Sequence, residues 1–471
     1  MFLVTFSRPL KFCTLNGYKY ISILPISFIL RRHVLRYFFA LICYRLAFIC
    51  LTPVMLLMIL VRSRSQRAYR QRLFERLGYL PKTLKTGGVI VHASSVGEVL
   101  ALKSTIELLL AEQACLPITV SCFTPTGSAQ ITKLFGNKVQ HCYLPLDNIF
   151  STWLFIYRLK PQSMVFMETE LWPEIVAQCH HQRIKLMLIN ARLSAKSVRQ
   201  YQKIAWLITP TLNNFDRILT QSHENHQHFI GLGRQIKGCD VAGNLKFDIH
   251  ITDQLREKQG DFKQIFPNNR PVWIIASTHP GDEALVLSAL AQLKLIVPEL
   301  LMIIAPRHPE RFDEVASLCQ AQHYELVRRS SHQVINDSTD IFLLDSIGEL
   351  LATFNFATLV TMGGSFSNVG GHNPLEPALF KKPIIVGEQM HNFNEVMAQL
   401  QNNQAIVQIT APLGNNIALA KTLGEQVLAI LNSADLQQTL GDNAFTVVMS
   451  NQGASVRTVD SLMALIANKV V

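Results

Sequence analysis

From Gly87 onward the chain alternates short runs of β-branched and apolar residues with longer stretches whose apolar positions recur at helical spacing. That rhythm predicts an α/β protein built on parallel strands, each followed by a helix. The first series of predicted strands covers residues 89–92, 118–122, 164–167, 185–189 and 217–220. A polar stretch at 249–270 breaks the rhythm and reads as a linker. A second series follows at 272–276, 301–305, 341–344, 358–362 and 384–386, and everything beyond Asn416 reads as helix. The expected organisation is therefore two sheet domains, 81–248 and 271–471, with a cleft between them.

The front of the chain has a different pattern. Residues 37–61 are apolar except for Arg45, Thr52 and Pro53, long enough to cross a bilayer, and Arg62, Arg64, Arg67, Arg70 and Arg72 follow. The pattern predicts a membrane anchor over 35–80 with the domains on the cytoplasmic side of the inner membrane. Arg45 inside the apolar run leaves open whether the helix spans the bilayer or lies in its interface. Residues 1–34 are an N-terminal extension of unknown role.

Charge supports a membrane partner. Residues 1–80 hold thirteen Lys/Arg against the single acid Glu75, so nearly all of the net charge of +11 sits beside the apolar segment and the rest is close to neutral. A nucleic-acid groove would need the charge on the folded body, so nucleic acid is not expected as a partner. The nine cysteines are scattered without a C-x-x-C, as suits a reducing compartment.

Candidate chemistry lies where predicted strands end. Residues 357–380, ATLVTMGGSFSNVGGHNPLEPALF, read as a strand, a glycine-rich loop and a helix opened by Asn373, with Pro374 at the first helical position, Leu375 after it and Glu376 three residues past the cap. Such a loop leaves backbone N–H groups free to hold an anion. Glu376 is equally explained as the second half of a capping box. The same spacing joins Ser95 to Glu98 in HASSVGEVLA and Ser346 to Glu349, past Ile347 and Gly348, in DSIGELLA, so spacing alone does not separate a cap from a catalytic carboxylate.

Glu168 and Glu170 in FMETELWPE are either a pair tuning each other's protonation or the acidic start of a helix near Pro173. Lys246 in GNLKFD faces the cleft or is a solvated surface charge. Arg307, His308 and Arg311 follow Pro306 in APRHPER, where a guanidinium suits a phosphate. His223, His226 and His228 have metal-like spacing but only Glu224 as an acidic neighbour, so no metal is expected. Serine-hydrolase elbow, zincin and P-loop motifs are absent from the sequence.

Taken in order, HASSVGE, ETELWPE, NARLS, GNLKFD, PRHPER and GGSFSNVGGHNPLEP resemble the 3-deoxy-D-manno-octulosonic acid (Kdo) transferases, from about Leu35 to the C-terminus. The resemblance implies a GT-B fold, two Rossmann-like domains facing across a cleft behind an N-terminal membrane-anchor helix. It also implies inverting transfer of Kdo from CMP-Kdo onto a lipid A precursor, lipid IVA, with no cofactor. Carried over by motif, Glu98 is the general base and Glu168 and Lys246 stabilise the transition state. CMP rests on Pro306 and Arg307, on Ile347, Gly348 and Glu349, and on Asn373, Pro374, Leu375 and Glu376. The rival readings are another GT-B lipid glycosyltransferase, a sugar-nucleotide epimerase, or a non-catalytic membrane nucleotide sensor.

Overall fold

The computed structural model describes residues 26–113, 115–249, 251–266, 270–410 and 416–467, with side chains from Leu35 onward. Two seven-stranded sheets, parallel throughout, organise it. The first contains β1 (Val89–His92), β2 (Ile118–Cys122), β3 (Gln140–Tyr143), β4 (Ser163–Met167), β5 (Lys185–Ala191), β6 (Arg217–Thr220) and β7 (Cys239–Val241), in the order β3-β2-β1-β4-β5-β6-β7. The second contains β8 (Val272–Thr278), β9 (Leu301–Pro306), β10 (Leu326–Arg328), β11 (Ile341–Leu343), β12 (Leu359–Met362), β13 (Ile384–Val386) and β14 (Val407–Gln408), in the order β10-β11-β9-β8-β12-β13-β14. In each sheet the chain starts in the middle, builds toward one edge and returns to build toward the other. The crevice at that reversal is where open parallel sheets place ligands.

The inner strands are buried on both faces, as helices on either side of a parallel sheet require. In the first domain five helices after strands start on side-chain caps: Ser95, Thr124, Asn148, Ser194 and Ser222 each accept a hydrogen bond from a backbone N–H of the following turn. The caps fix where each strand-to-helix loop ends, and so where the loop's side chains stand.

Three expectations change. The stretch 249–270 is not a free linker: it contains the helix Asp253–Lys263, and Leu255, Phe262 and Phe266 enter the second domain's core. Their spacing of seven and four puts them on one face, hidden in the sequence by the polar residues between. The tail is helical as expected, but its last helix, Ala454–Ala467, leaves the second domain. Ala454, Val459, Leu462 and Leu465 pack into the first domain's core beside Val89, Val165 and Leu245, so 271–471 is not one packing unit. Asp248 secures the crossing by accepting from the backbone N–H groups of Gly453 (2.7 Å) and Ser455. At the front, the helix runs Ile26–Arg62, beginning upstream of the expected anchor boundary. Of the extension 1–34, residues 1–25 lie outside the described residues.

Candidate active site

The mouth of the first sheet is acidic. Glu98 stands in the first turn of the helix Val96–Ala101, directly after β1, and is 8% exposed. Its Oε2 accepts from the Ser94 N–H (2.9 Å) and its Oε1 from the Ser95 hydroxyl (2.8 Å), while the Ser95 Oγ accepts from the Glu98 N–H (3.3 Å). The cap reading is thus real, yet it does not neutralise the carboxylate. Burial, helped by the neighbouring Glu168 and Glu170, pushes the Glu98 pKa up to about 7, against the bonds from Ser94 and Ser95. A carboxylate poised there is matched to general-base work at neutral pH.

Glu168 follows β4 in a left-handed backbone conformation, φ +52°, unusual for a residue with a side chain. It is 9% exposed, and Arg192 donates from Nε to its Oε2 (2.8 Å). Glu170 is held differently: burial would raise its pKa, but bonds from His92, Ser94 and Trp172 outweigh that and lower it. Neither glutamate belongs to the following helix, Pro173–His181, whose first-turn acid is Glu174. Lys246 is half-buried in the 3₁₀ turn Leu245–Phe247, with its Nζ 5.4 Å from the centre of the Phe393 ring of the second domain. In the same turn Asn244 Oδ1 accepts from the Lys246 N–H (3.0 Å).

The mouth of the second sheet is built from glycine and cations. Gly363 and Gly364 leave β12 so close to β8 that a Cβ on Gly363 would sit 2.5 Å from the Ser277 carbonyl oxygen. Asp282 Oδ2 accepts from the N–H groups of Gly364 (2.7 Å) and His279 (2.9 Å), tying the loop to the end of β8. Asn373 Oδ1 accepts from Leu375 N (3.2 Å), but the helix is a single turn, Leu375–Ala378, that starts one residue later than predicted, with Pro374 at its cap position. So short a helix has little dipole. Anion binding at this loop would rest on individual N–H groups and on Arg307.

Arg307 is exposed beside Pro306, and among the described residues its guanidinium has no ion-pair partner; only its backbone N–H is engaged, to Thr278 O (3.0 Å). Arg311, four residues on, is committed to the buried Glu283 (2.6 Å) and to Glu314 (3.1 Å). Ile347 is 63% exposed and the Gly348 carbonyl accepts from Lys258 Nζ (2.9 Å). Glu349 does not cap as its spacing predicts. Its carboxylate takes Arg329 and the Ser346 hydroxyl, which outweigh burial and lower its pKa. Pro374 and Leu375 are buried, so a ligand there would meet backbone rather than side chain. Glu376 is raised by burial, opposed by Asn373 and Arg307.

Several residues here were not singled out from the sequence. His279 and His372 are 2.8 Å apart between their Nε2 atoms, and His308 packs edge-on against His279. Burial, then Arg307 and the other two rings, drive the His372 pKa down to about 3, which keeps it neutral behind the loop. Glu395 of the second domain reaches the first, accepting from Asn244 (3.4 Å), and its pKa is raised by burial and by Glu168 against the pull of Arg192 and Lys246. The His226 and His228 rings are taken by the carbonyls of Cys239 (3.1 Å) and Leu193 (2.7 Å).

Two Rossmann-like domains, one with a poised carboxylate at its mouth and the other with a glycine loop beside Arg307, make up the GT-B fold. A glycosyltransferase from Rickettsia africae has this fold, with a TM-score of 0.51 at 14% identity over 81% of this chain and 99% of that one. Residues 71–249 match the family model described as 3-deoxy-D-manno-octulosonic-acid transferase (kdotransferase). The chain is 36% identical to the 3-deoxy-D-manno-octulosonic acid transferase of Haemophilus influenzae, over 89% of its own length and 97% of the relative's, and 30% identical to that of Bordetella pertussis, over 89% and 98%. The chain belongs to the Kdo transferase family, glycosyltransferases of lipopolysaccharide biosynthesis.

Proposed function

We propose that this protein transfers Kdo from CMP-Kdo to a lipid A precursor, lipid IVA, with inversion at the sugar. The observation that carries the reading is Glu98, buried and poised near neutrality at the first sheet's mouth, with an unpaired guanidinium, Arg307, at the other. Glu98 takes the proton from the acceptor hydroxyl as the sugar–oxygen bond forms. Arg307 and the N–H groups of the loop around Asn373 to Glu376 hold the phosphate of departing CMP, with the strand ends at Pro306 and at Ile347 to Glu349 flanking the nucleotide. Glu168, oriented by Arg192, and Lys246, facing Phe393, stand where charge develops on the sugar during transfer. A base on the face opposite the leaving phosphate gives inversion by the same geometry that governs inverting glycosidases.

No cofactor is invoked, because the donor arrives with its leaving group already attached. The apolar N-terminal helix and the arginines after it support attachment to the inner membrane with the domains in the cytoplasm, where a lipid acceptor is met in two dimensions. The test is incubation with CMP-Kdo and lipid IVA, reading product mass and released nucleotide. A product heavier by one or more Kdo residues with stoichiometric CMP is expected. Turnover only with a UDP-sugar, or none with any sugar nucleotide, would overturn the proposal.

A further inference from the structure

The N-terminal helix is clamped against the first domain by polar side chains that its composition alone would not place there. Arg45 donates from Nε and Nη2 to the two oxygens of Glu174 (2.7 and 3.1 Å), whose side chain is fully buried. One residue earlier the Tyr44 hydroxyl donates to Asp147 Oδ2 (2.8 Å). Asp147 also accepts from the N–H groups of Glu174 (3.0 Å) and Ile175 (2.9 Å), so the same carboxylate caps the helix Pro173–His181. Further along, Asn148 donates to the Thr52 hydroxyl (3.2 Å), and nearer the helix start Asn214 donates to the Tyr37 hydroxyl (3.2 Å). Together with buried Ala40 and Leu41, the positions bonded to the domain form one stripe from Tyr37 to Thr52, about 23 Å at 1.5 Å per residue, which leaves about ten helical residues beyond it, too few to cross alone.

A helix fixed along that length cannot also cross the bilayer with its domain outside. The hydrocarbon core is about 30 Å thick, so a crossing helix would carry Asp147, Glu174 and the polar ends of the helices around them into lipid. The other face of the same helix is apolar and bare: Phe38, Phe39, Leu46, Leu57 and Met58 are all more than half exposed. The bare face continues onto the helix Ile149–Leu159, which starts at Asn148, the residue bonded to Thr52. There Phe150, Trp153 and Tyr157 are 70%, 52% and 60% exposed at spacings of three and four, with the Trp153 and Tyr157 rings stacked 5.3 Å apart. So large an apolar surface on one side of a folded protein marks a partner. Its aromatic margin and the exposed cations beside it, Arg62, Arg64, Arg67 and Lys160, fit an anionic bilayer interface.

We infer that the N-terminal helix lies in the plane of an anionic bilayer, clamped from Tyr37 to Thr52 to the first domain, and that Phe150, Trp153 and Tyr157 form a second lipid-facing edge of the same surface. The clamp lands at Glu174, four residues past Glu170, so the lipid plane runs beside the acidic mouth. That consequence for a lipid acceptor rests on the proposed function; the membrane geometry does not.

The experiment places spin labels, one at a time, at Phe39, Leu46, Leu57 and Trp153 in the full chain with Cys13, Cys43, Cys50 and Cys115 replaced by serine. The protein is bound to phosphatidylglycerol/phosphatidylethanolamine vesicles, with a label at exposed Lys196 as the aqueous reference. Depth is read from relaxation by oxygen against a water-soluble nickel complex. Labels at 39, 46 and 57 are expected at one shallow depth, with 153 also shielded from nickel. A steady progression of about 27 Å between 39 and 57, 18 residues at 1.5 Å each, would overturn the in-plane helix. Nickel contact at 153 equal to that at 196 would remove the second edge. No turnover is read, so failure of the proposed acceptor would leave these depths unchanged.

Discussion

The two sheets each have seven parallel strands and start in the middle, but they carry opposite chemistry at their mouths. In the first, carboxylates cluster with incomplete compensation, and Glu98 responds by holding its proton to about pH 7. In the second, cations gather beside the glycine loop, and His372 responds by staying neutral down to about pH 3. On the proposed function, the same kind of crevice would remove a proton on one side and hold an anion on the other. Side chains at the strand ends, not the fold, decide which.

If that division is right, substitutions should separate cleanly. Glu98→Ala has the largest expected effect, a loss of about 10²–10⁴-fold in transfer rate, with CMP affinity unchanged in a calorimetric titration. Arg311→Ala should act on folding instead: it leaves Glu283 buried without its partner, at a cost of about 3–5 kcal/mol, read as a lower denaturation midpoint. Arg307→Ala, in the same turn, should leave that midpoint in place and weaken CMP by about 10–100-fold, the worth of a charge-assisted hydrogen bond of roughly 1.5–3 kcal/mol, while cytidine binding is spared. Equal losses for CMP and cytidine would break the comparison. The least selective effect is expected from Gly363→Ala, whose Cβ would fall 2.5 Å from the Ser277 carbonyl oxygen and 2.7 Å from Thr278 Cα. Loop displacement of about 1–3 kcal/mol should appear as weaker CMP binding with Glu98's pH response intact.

What was legible in the sequence follows from burial. Strands β1, β2, β6 and β13 match their predicted bounds, and the other inner strands are found within one or two residues at either end, because burial on both faces forces continuous apolar runs. The four strands that went unread, β3, β7, β10 and β14, are the four sheet edges. An edge tolerates Gln140, Asp240, Arg328 and Gln408, which dilute the signal.

The site divides the same way. Glu98, Glu168 and Arg307 follow strands that the pattern located, so their neighbourhoods were readable from order alone. His279 with His372, Asn244 with Glu395, and Arg45 with Glu174 join residues 93, 151 and 129 positions apart. Periodicity is a local signal and carries no trace of such pairs. For the same reason Ala454 and Leu462, ordinary core positions of a terminal helix, gave no sign that their core lies in the other domain.

The role of Glu98 as the base is tested most directly by the pH dependence of single-turnover transfer. Burial holds the Glu98 carboxyl protonated below about pH 7, above its ordinary 4.5, and a protonated carboxyl cannot accept the acceptor's proton. With CMP-Kdo saturating, the wild-type rate should rise about tenfold per pH unit on the acid side, with a midpoint near 7, and level off above it. Glu98→Gln should retain CMP affinity and show a low residual rate without that ascending limb. An ascending limb of the same midpoint in Glu98→Gln would assign the titration to another group and contradict the account.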